Sequence, residues 1–199
     1  MTLDAWDTHD TARRDNSHDR QIGLTWERNF CRLALQYGKS FTPHQIGRDG
    51  SASWYAPTVQ AGIAPALLPD TTIWTAPSEH HEIKHKRATN PGWEWRCYGL
   101  EKYRLEALVT FARETQQSVL YTIHDWELAG AASSDAQMPN RIEHWRTVDV
   151  LQLADYVTAE HLEAPPVSTW VNGRMQSRPC YFWPVKLWVP LQWWWGDVF

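Results

Sequence analysis

The sequence is poor in most of the features that place a chain quickly. Its three cysteines, Cys31, Cys97 and Cys180, are odd in number and lack CxxC spacing. Neither a disulfide framework nor a cysteine zinc site is indicated, and a reducing compartment is the expectation. No apolar run approaches the length of a membrane-spanning helix. Residues 1–20 are polar and charge-rich, without the apolar segment of a secretory leader, so a cytoplasmic location without membrane contact is expected. Net positive charge is lacking as well: the formal charge is -4, which gives no global argument for a nucleic-acid partner. Lysine is scarce, five residues against fourteen arginines, and there is no internal repeat.

What is present is unevenly distributed. The 199 residues suffice for one core that buries about two thirds of the unfolded surface without covalent staples. Two of the few lysines, Lys84 and Lys86, stand together. Between His80 and Arg104 the cations Lys84, Lys86, Arg87, Arg96, Lys102 and Arg104 outnumber Glu82, Glu94 and Glu101. Such a stripe suits a phosphate-tracking surface, although a plain solvated face has the same composition. The fourteen tryptophans, with Trp193-Trp194-Trp195 near the end, can stack on bases but more often fill cores and interfaces.

Periodicity divides the chain. Trp26, Phe30, Leu33 and Tyr37 recur at helical spacing and predict a helix from about Leu24 to Tyr37, stopped by Gly38, with Glu27 beside the apolar stripe. Lys39 to Leu68 reads as a long irregular connection containing one short strand. Asp70–Trp74 and His81–Lys86, broken at Pro77-Ser78, read as a strand pair, and Asn90-Pro91-Gly92 marks a turn. Tyr98–Gln117 carries a helical apolar side, and Val119–Ile123 reads as a fully buried strand. Trp145–Tyr156 fits either a strand followed by a helical turn or one continuous helix. Asn172-Gly173 signals a hairpin. The expected organisation is an N-terminal arm over 1–20, a core over 21–126, and a C-terminal extension over 127–199 with a β-hairpin packed on the core.

Within the strand pair lies the most informative local pattern. In an extended segment Glu82, Lys84 and Lys86 share one face. Asp70, at the end of the neighbouring strand, adds a second carboxylate. Two carboxylates can hold a hard divalent cation, and an adjacent lysine can orient a water for attack on a phosphodiester. Lysine suits that position because, unlike arginine, it shifts its pKa when desolvated.

Pro69-Asp70 followed by Glu82-Ile83-Lys84 resembles the PD-(D/E)xK nuclease superfamily. The resemblance covers about Leu24 to Asp125 and is closest to the small Holliday-junction-resolvase-like and phage-type members. It implies an α/β fold with a restriction-endonuclease-like core, in the order α-β-β-β-α-β, with a mixed central sheet flanked by helices. A Trp-rich β extension would follow. It further implies DNA endonuclease activity in a recombination, repair, phage or restriction-like setting. Asp70, Glu82 and Lys84 would be catalytic. Asp70, Glu82 and the Ile83 carbonyl would hold Mg²⁺ or Mn²⁺, with Glu27 of the first helix approaching. Lys86, Arg87, Tyr98, Lys102 and Arg104 would meet nucleic acid, and a homodimer is expected where two strands must be cut.

Two other readings use the same residues. His81-Glu82-Ile83-Lys84-His85 matches HExxH, whose histidines bind zinc while the glutamate acts as base. That chemistry needs a helix, and this segment has only Ile83 to dock one. The last reading is a non-catalytic, Trp-rich binding or assembly module on a nuclease-like core, against which the intact Asp, Glu and Lys argue. The nuclease and zinc readings separate on one point, whether residues 81–86 are extended.

Overall fold

The computed structural model describes residues 16–44, 68–89, 95–131, 137–171 and 174–196. Helix α1 spans Asn16–Gln36, two turns longer at its start than the apolar stripe alone indicates, so Asn16 to Arg20 belong to it rather than to an arm. Its stripe is buried at Trp26, Phe30, Leu33 and Ala34. Gly38 ends it with a left-handed φ of 66°, while Lys39 N–H donates back to the Ala34 carbonyl at 2.9 Å. A residue free of Cβ is what such a terminus favours.

Strands β1 (Ser40–Pro43), β2 (Thr71–Trp74) and β3 (Glu79–Lys86) follow. The short strand expected inside Lys39 to Leu68 is β1; the rest of that connection, from 45 to 67, lies outside the described residues, as does the Asn90-Pro91-Gly92 turn. Next come β4 (Cys97–Glu101), α2 (Lys102–Thr115) and β5 (Ser118–Asp125). Then β6 (Trp145–Asp149) runs directly into α3 (Val150–Ala159). The Asp149 carboxylate accepts from Leu151 N–H at 2.7 Å, an N-cap that settles the strand-or-helix ambiguity in favour of a strand followed by a helix. The hairpin strands β7 (Pro166–Val171) and β8 (Arg174–Pro184) come next, and the short β9 (Val189–Pro190) and α4 (Leu191–Trp195) finish the described chain. Val171 pairs with Arg174; the Asn172-Gly173 turn itself lies outside the described residues.

The main sheet has the order β1-β2-β3-β5-β6-β9. β3 and β5 are parallel over their full lengths, from Glu79 opposite Ser118 to Lys86 opposite Asp125, and every other neighbouring pair is antiparallel. A parallel pair needs a crossover, and α2 supplies it. Helix α1 packs on one face through Trp26, Phe30 and Leu33 with Ile73, Ile83 and Trp145. Helices α2 and α3 cover the other face over Val119, Tyr121, Ile123 and Val148. The expected α-β-β-β-α-β order with a mixed sheet between helices is therefore present in α1, β1, β2, β3, α2 and β5. It carries one insertion, β4.

That insertion corrects the predicted helix at Tyr98–Gln117. Cys97 to Glu101 is strand, and the helix starts at Lys102. The helical apolar spacing there is overridden by pairing with β8, from Cys97 opposite Pro184 to Glu101 opposite Cys180, in a second sheet of order β4-β8-β7. Backbone contact in that pair is close. A Cβ at Gly99 would lie 2.8 Å from the Phe182 ring, and the Gly99 carbonyl accepts from Tyr121 Oη at 3.0 Å. Residues 127–199 thus contribute to both sheets, since β6 and β9 extend the main one. Cys31, Cys97 and Cys180 are free and buried. Among the described residues no helix is long and apolar enough to cross a membrane.

Gly99→Ala is expected to lower stability by about 1–3 kcal/mol, the usual result of overpacking a tight contact, with part of the loss restored in the Gly99→Ala/Phe182→Leu double variant. Urea midpoints of the two variants and the parent measure this, and a midpoint unchanged by Gly99→Ala would show that the ring yields freely.

Candidate active site

The site arises because β3 outruns β2. Antiparallel pairing between them stops at Thr71 opposite His81, while β3 continues to Lys86 with its other edge held by β5. The backbone of Ile83 is left without a strand partner on the open edge. Asp70, immediately before β2, fills the gap, its Oδ2 accepting from Ile83 N–H at 2.7 Å. The Ile83 carbonyl accepts from the Lys84 ammonium at 2.9 Å. That ammonium also lies 2.5 Å from Glu82 Oε1 and 3.5 Å from Asp70 Oδ2. From the first turn of α2, the Arg104 guanidinium bonds the same Glu82 Oε1 and has Glu101 at 3.8 Å. Asp70, Glu82, Ile83 and Lys84 therefore meet at one point, as their spacing in the sequence indicated.

Burial and charge set the ionisation states. Glu82 is fully buried; burial disfavours its anion, but Lys84 and Arg104 outweigh this and hold its pKa below the ordinary value. Asp70 is pushed up to about 6, first by burial and then by the charge of Glu82. Glu27, on α1, is pushed up to about 7 by burial and then by Asp70. Lys84 is desolvated, yet Asp70 and Glu82 more than offset that and raise its pKa. It is an ammonium at neutral pH, a donor rather than a base. The bonds cost something: Glu82 Oε2 and Arg104 Nε are buried without hydrogen-bond partners, each a penalty of about 1–3 kcal/mol.

These donors fit a hard divalent cation. Two carboxylates and a carbonyl already surround one positive centre, the Lys84 ammonium, all are oxygen, and Glu82 Oε2 has lone pairs to spare. Oxygen-only donors suit Mg²⁺ or Mn²⁺ rather than zinc. Among the described residues no three His, Cys, Asp or Glu side chains lie close enough to form a metal cluster. A cation there would need the Ile83 carbonyl as a further donor, and Glu27 is linked to Asp70, Lys84 and Glu82 through charge rather than as a member of such a cluster.

The zinc reading of His81 to His85 is corrected. The segment is strand, and side chains alternate along it, so Glu82 points away from His81 and His85. His81 is fully buried and bonds Thr122 Oγ1 at 2.8 Å, and His85 Nδ1 meets His124 Nδ1 at 3.0 Å. Both histidines lie on the α1 face, with the Trp26 ring stacked on His85 and His124. Burial and the neighbouring His85 and His144 press the His124 pKa down to about 2. That face is lined by aromatic rings.

Of the residues assigned to nucleic acid, Tyr98 is corrected. It is buried, and its hydroxyl donates to Asp125, so it belongs to the core. The Lys86 ammonium turns inward to the Gly99 carbonyl at 2.6 Å, its pKa lowered by burial. Arg87 lies over the Trp126 ring at 5.2 Å, and Lys102 is at the surface, 3.9 Å from Glu106. Sequence reading missed Arg178 and Tyr103. The Arg178 guanidinium donates to Tyr103 Oη at 3.3 Å, and both line a cleft of about 470 Å³ with Lys102, Glu106 and Pro179. Nothing local in the sequence brings β8 to α2; only the β4–β8 pairing does.

No family model matches the chain, and comparison with curated proteins finds no match. Among solved structures the chain is similar to Hjc, a Holliday junction resolvase from the archaeal hyperthermophile Archaeoglobus fulgidus. The identity is 14%, the TM-score is 0.46, and the likeness covers 89% of this chain and 98% of that one. The fold is restriction-endonuclease-like. Strand order and direction carry that statement: a mixed sheet with one parallel pair, a crossover helix on one face and the first helix on the other.

The raised carboxyl groups make stability depend on pH in a defined sense. A carboxyl whose folded pKa exceeds its unfolded one contributes stability that is complete below the unfolded value and is lost as pH rises through the folded one. For Glu27 the window runs from about 4.5 to about 7. Glu27→Gln removes that titration, so the variant should gain stability relative to the parent from pH 5 to about pH 7, with the difference levelling off by pH 8. Urea midpoints across that range check it, and a constant difference between the two proteins would contradict the raised pKa. Comparing the two proteins cancels the opposite trend of the buried histidines, which both contain.

Proposed function

We propose that the chain is a metal-dependent DNA endonuclease that hydrolyses phosphodiester bonds. The observation supporting this most directly is the convergence of Asp70, Glu82 and the Ile83 carbonyl on the Lys84 ammonium at the open edge of β3. Asp70, Glu82 and the Ile83 carbonyl would hold Mg²⁺ or Mn²⁺, with the charge of Glu27 close by. The bound cation would supply a more acidic water and neutralise charge on the phosphate.

The remaining work falls to the chain. Hydrolysis joins a water oxygen to phosphorus and breaks one phosphorus–oxygen ester bond, leaving a phosphate on one strand end and a hydroxyl on the other. Lys84, a fixed ammonium, orients the attacking water and offsets the charge that builds on the phosphoryl oxygens. Glu82 and Asp70 are held in place by burial and by the strand pairing beneath them, so little reorganisation is needed when substrate arrives. Lys102, Arg87 and Arg178 would neutralise flanking phosphates. A homodimer would give two such sites for two strands, and the three free, buried cysteines suit a reducing, cytoplasmic setting.

The test is incubation of purified protein with plasmid, linear duplex, single-stranded and branched DNA in the presence of Mg²⁺, Mn²⁺ or EDTA. Cleavage should require the metal. It should fall by about 100-fold or more in Lys84→Ala, the scale for loss of one preorganised charged donor, and vanish in Glu82→Ala. Robust cutting by Lys84→Ala would remove that residue from the mechanism. Absence of binding and cutting, together with assembly through the Trp-rich end, would favour the non-catalytic module.

A further inference from the structure

We propose that Arg104 is a two-position catalytic residue. It holds Glu82 in the metal-free protein, and it passes to a non-bridging oxygen of the scissile phosphate when a divalent cation takes that carboxylate. The inference rests on the nuclease reading of the same site and adds to it an exchange of partners.

The contact between Arg104 and Glu82 is a poor permanent pair. Arginine and a carboxylate that are built for each other form a fork, with two parallel N–H···O bonds. Here the guanidinium and the Lys84 ammonium both crowd onto Oε1. Oε2 has no hydrogen-bond partner although it is buried, and Arg104 Nε has none either, with Glu101 no nearer than 3.8 Å. Each of the two groups thus keeps one strong hydrogen-bonding atom in reserve. Glu82 Oε2 is the atom a metal would use, and Nε completes the fork that a phosphate would accept.

Charge requires one of the two cations to leave. A divalent ion on Glu82 would stand beside both an ammonium and a guanidinium, and repulsion between like charges at such distances is large in a desolvated site. Lys84 is anchored twice more, by the Ile83 carbonyl and by Asp70. Arg104 has only a loose second partner, Glu101 at 3.8 Å. It stands in the first turn of α2, directly after Lys102 and Tyr103, which are exposed. Its side chain retains 18% of its exposure against none for Glu82. The mobile partner is therefore Arg104, and its free direction is outward, where a strand of nucleic acid would pass. Arginine keeps its proton, so its part is electrostatic and moves no proton.

The exchange gives a signature that a purely structural role lacks: removing Arg104 should strengthen cation binding while weakening cleavage. The experiment uses the full chain and the variants Arg104→Gln and Arg104→Lys. Mn²⁺ binding without DNA is measured by calorimetry, and single-turnover cleavage is measured at saturating Mn²⁺. Arg104→Gln is expected to bind Mn²⁺ several-fold more tightly than the parent and to cut on the order of 100-fold more slowly. Arg104→Lys keeps the buried charge balance, so it serves if the glutamine variant does not fold. It should bind Mn²⁺ like the parent but cut more slowly, because a lysine cannot fork to the phosphate. Weaker Mn²⁺ binding by folded Arg104→Gln, or parental cleavage by either variant, overturns the proposal. Tighter Mn²⁺ binding by Arg104→Gln in a protein whose parent cuts no DNA would uphold the competition at Glu82 and overturn the nuclease reading, together with the phosphate half of the exchange.

Discussion

The parallel pairing of β3 with β5 is the constraint on which the rest of the structure depends. It runs the full eight residues of both strands, and both faces of the pair are covered by helices. The crossover it demands puts α2, and with it Arg104, over the face that carries Glu82. Because β5 holds one edge of β3 completely, β2 can stop early on the other edge without unravelling the strand. The unpaired stretch of backbone is then served by Asp70 and Lys84 instead of by a ladder. A sheet that ended evenly would have no such opening.

The site carries more buried charge than folding alone would favour. Breaking one member of a buried ion pair usually costs several kcal/mol, and a hydrophobic replacement of the whole pair is often neutral or better. Asp70, Glu82, Lys84 and Arg104 nevertheless lie together, with orphaned atoms on two of them. Raised carboxyl pKa values at Asp70 and Glu27 record the same tension. Such concentrations of perturbed groups recur at functional sites. Here the geometry gives the strain a direction, because the unsatisfied atoms are the ones a cation and a phosphate would use.

Much of this was legible in the sequence where the signal was local. The first helix, the strand pair, the buried strand after α2 and the alternation of Glu82 with Lys84 all follow from periodicity of two or 3.6 residues. The acid–lysine cluster was legible because Asp70 immediately precedes one strand of a hairpin whose other strand carries Glu82 and Lys84. What failed depended on distant partners. Tyr98 sits on an apolar side with helical spacing, yet it is strand because β8, some eighty residues on, pairs with it. Lys86 looks like a surface cation until Gly99 of the second sheet accepts its ammonium. Arg178 had no local mark at all. Long-range pairing overrides local preference, and a single sequence does not announce it.

Strand β3 also separates two chemistries by a single residue step. Its even-numbered positions from Glu82 to Lys86 carry the charges, and His81, Ile83 and His85 face Phe30, Trp195 and Trp26. A slip of one residue against β5 would turn each side chain to the opposite layer. Glutamate and lysine would then press into stacked tryptophan and phenylalanine, and imidazoles would face Arg104. Misregistered pairings are thus disfavoured on both sides at once, which lets a strand rich in polar residues find one alignment in the middle of a sheet. The arrangement that equips the strand for chemistry also proofreads its folding.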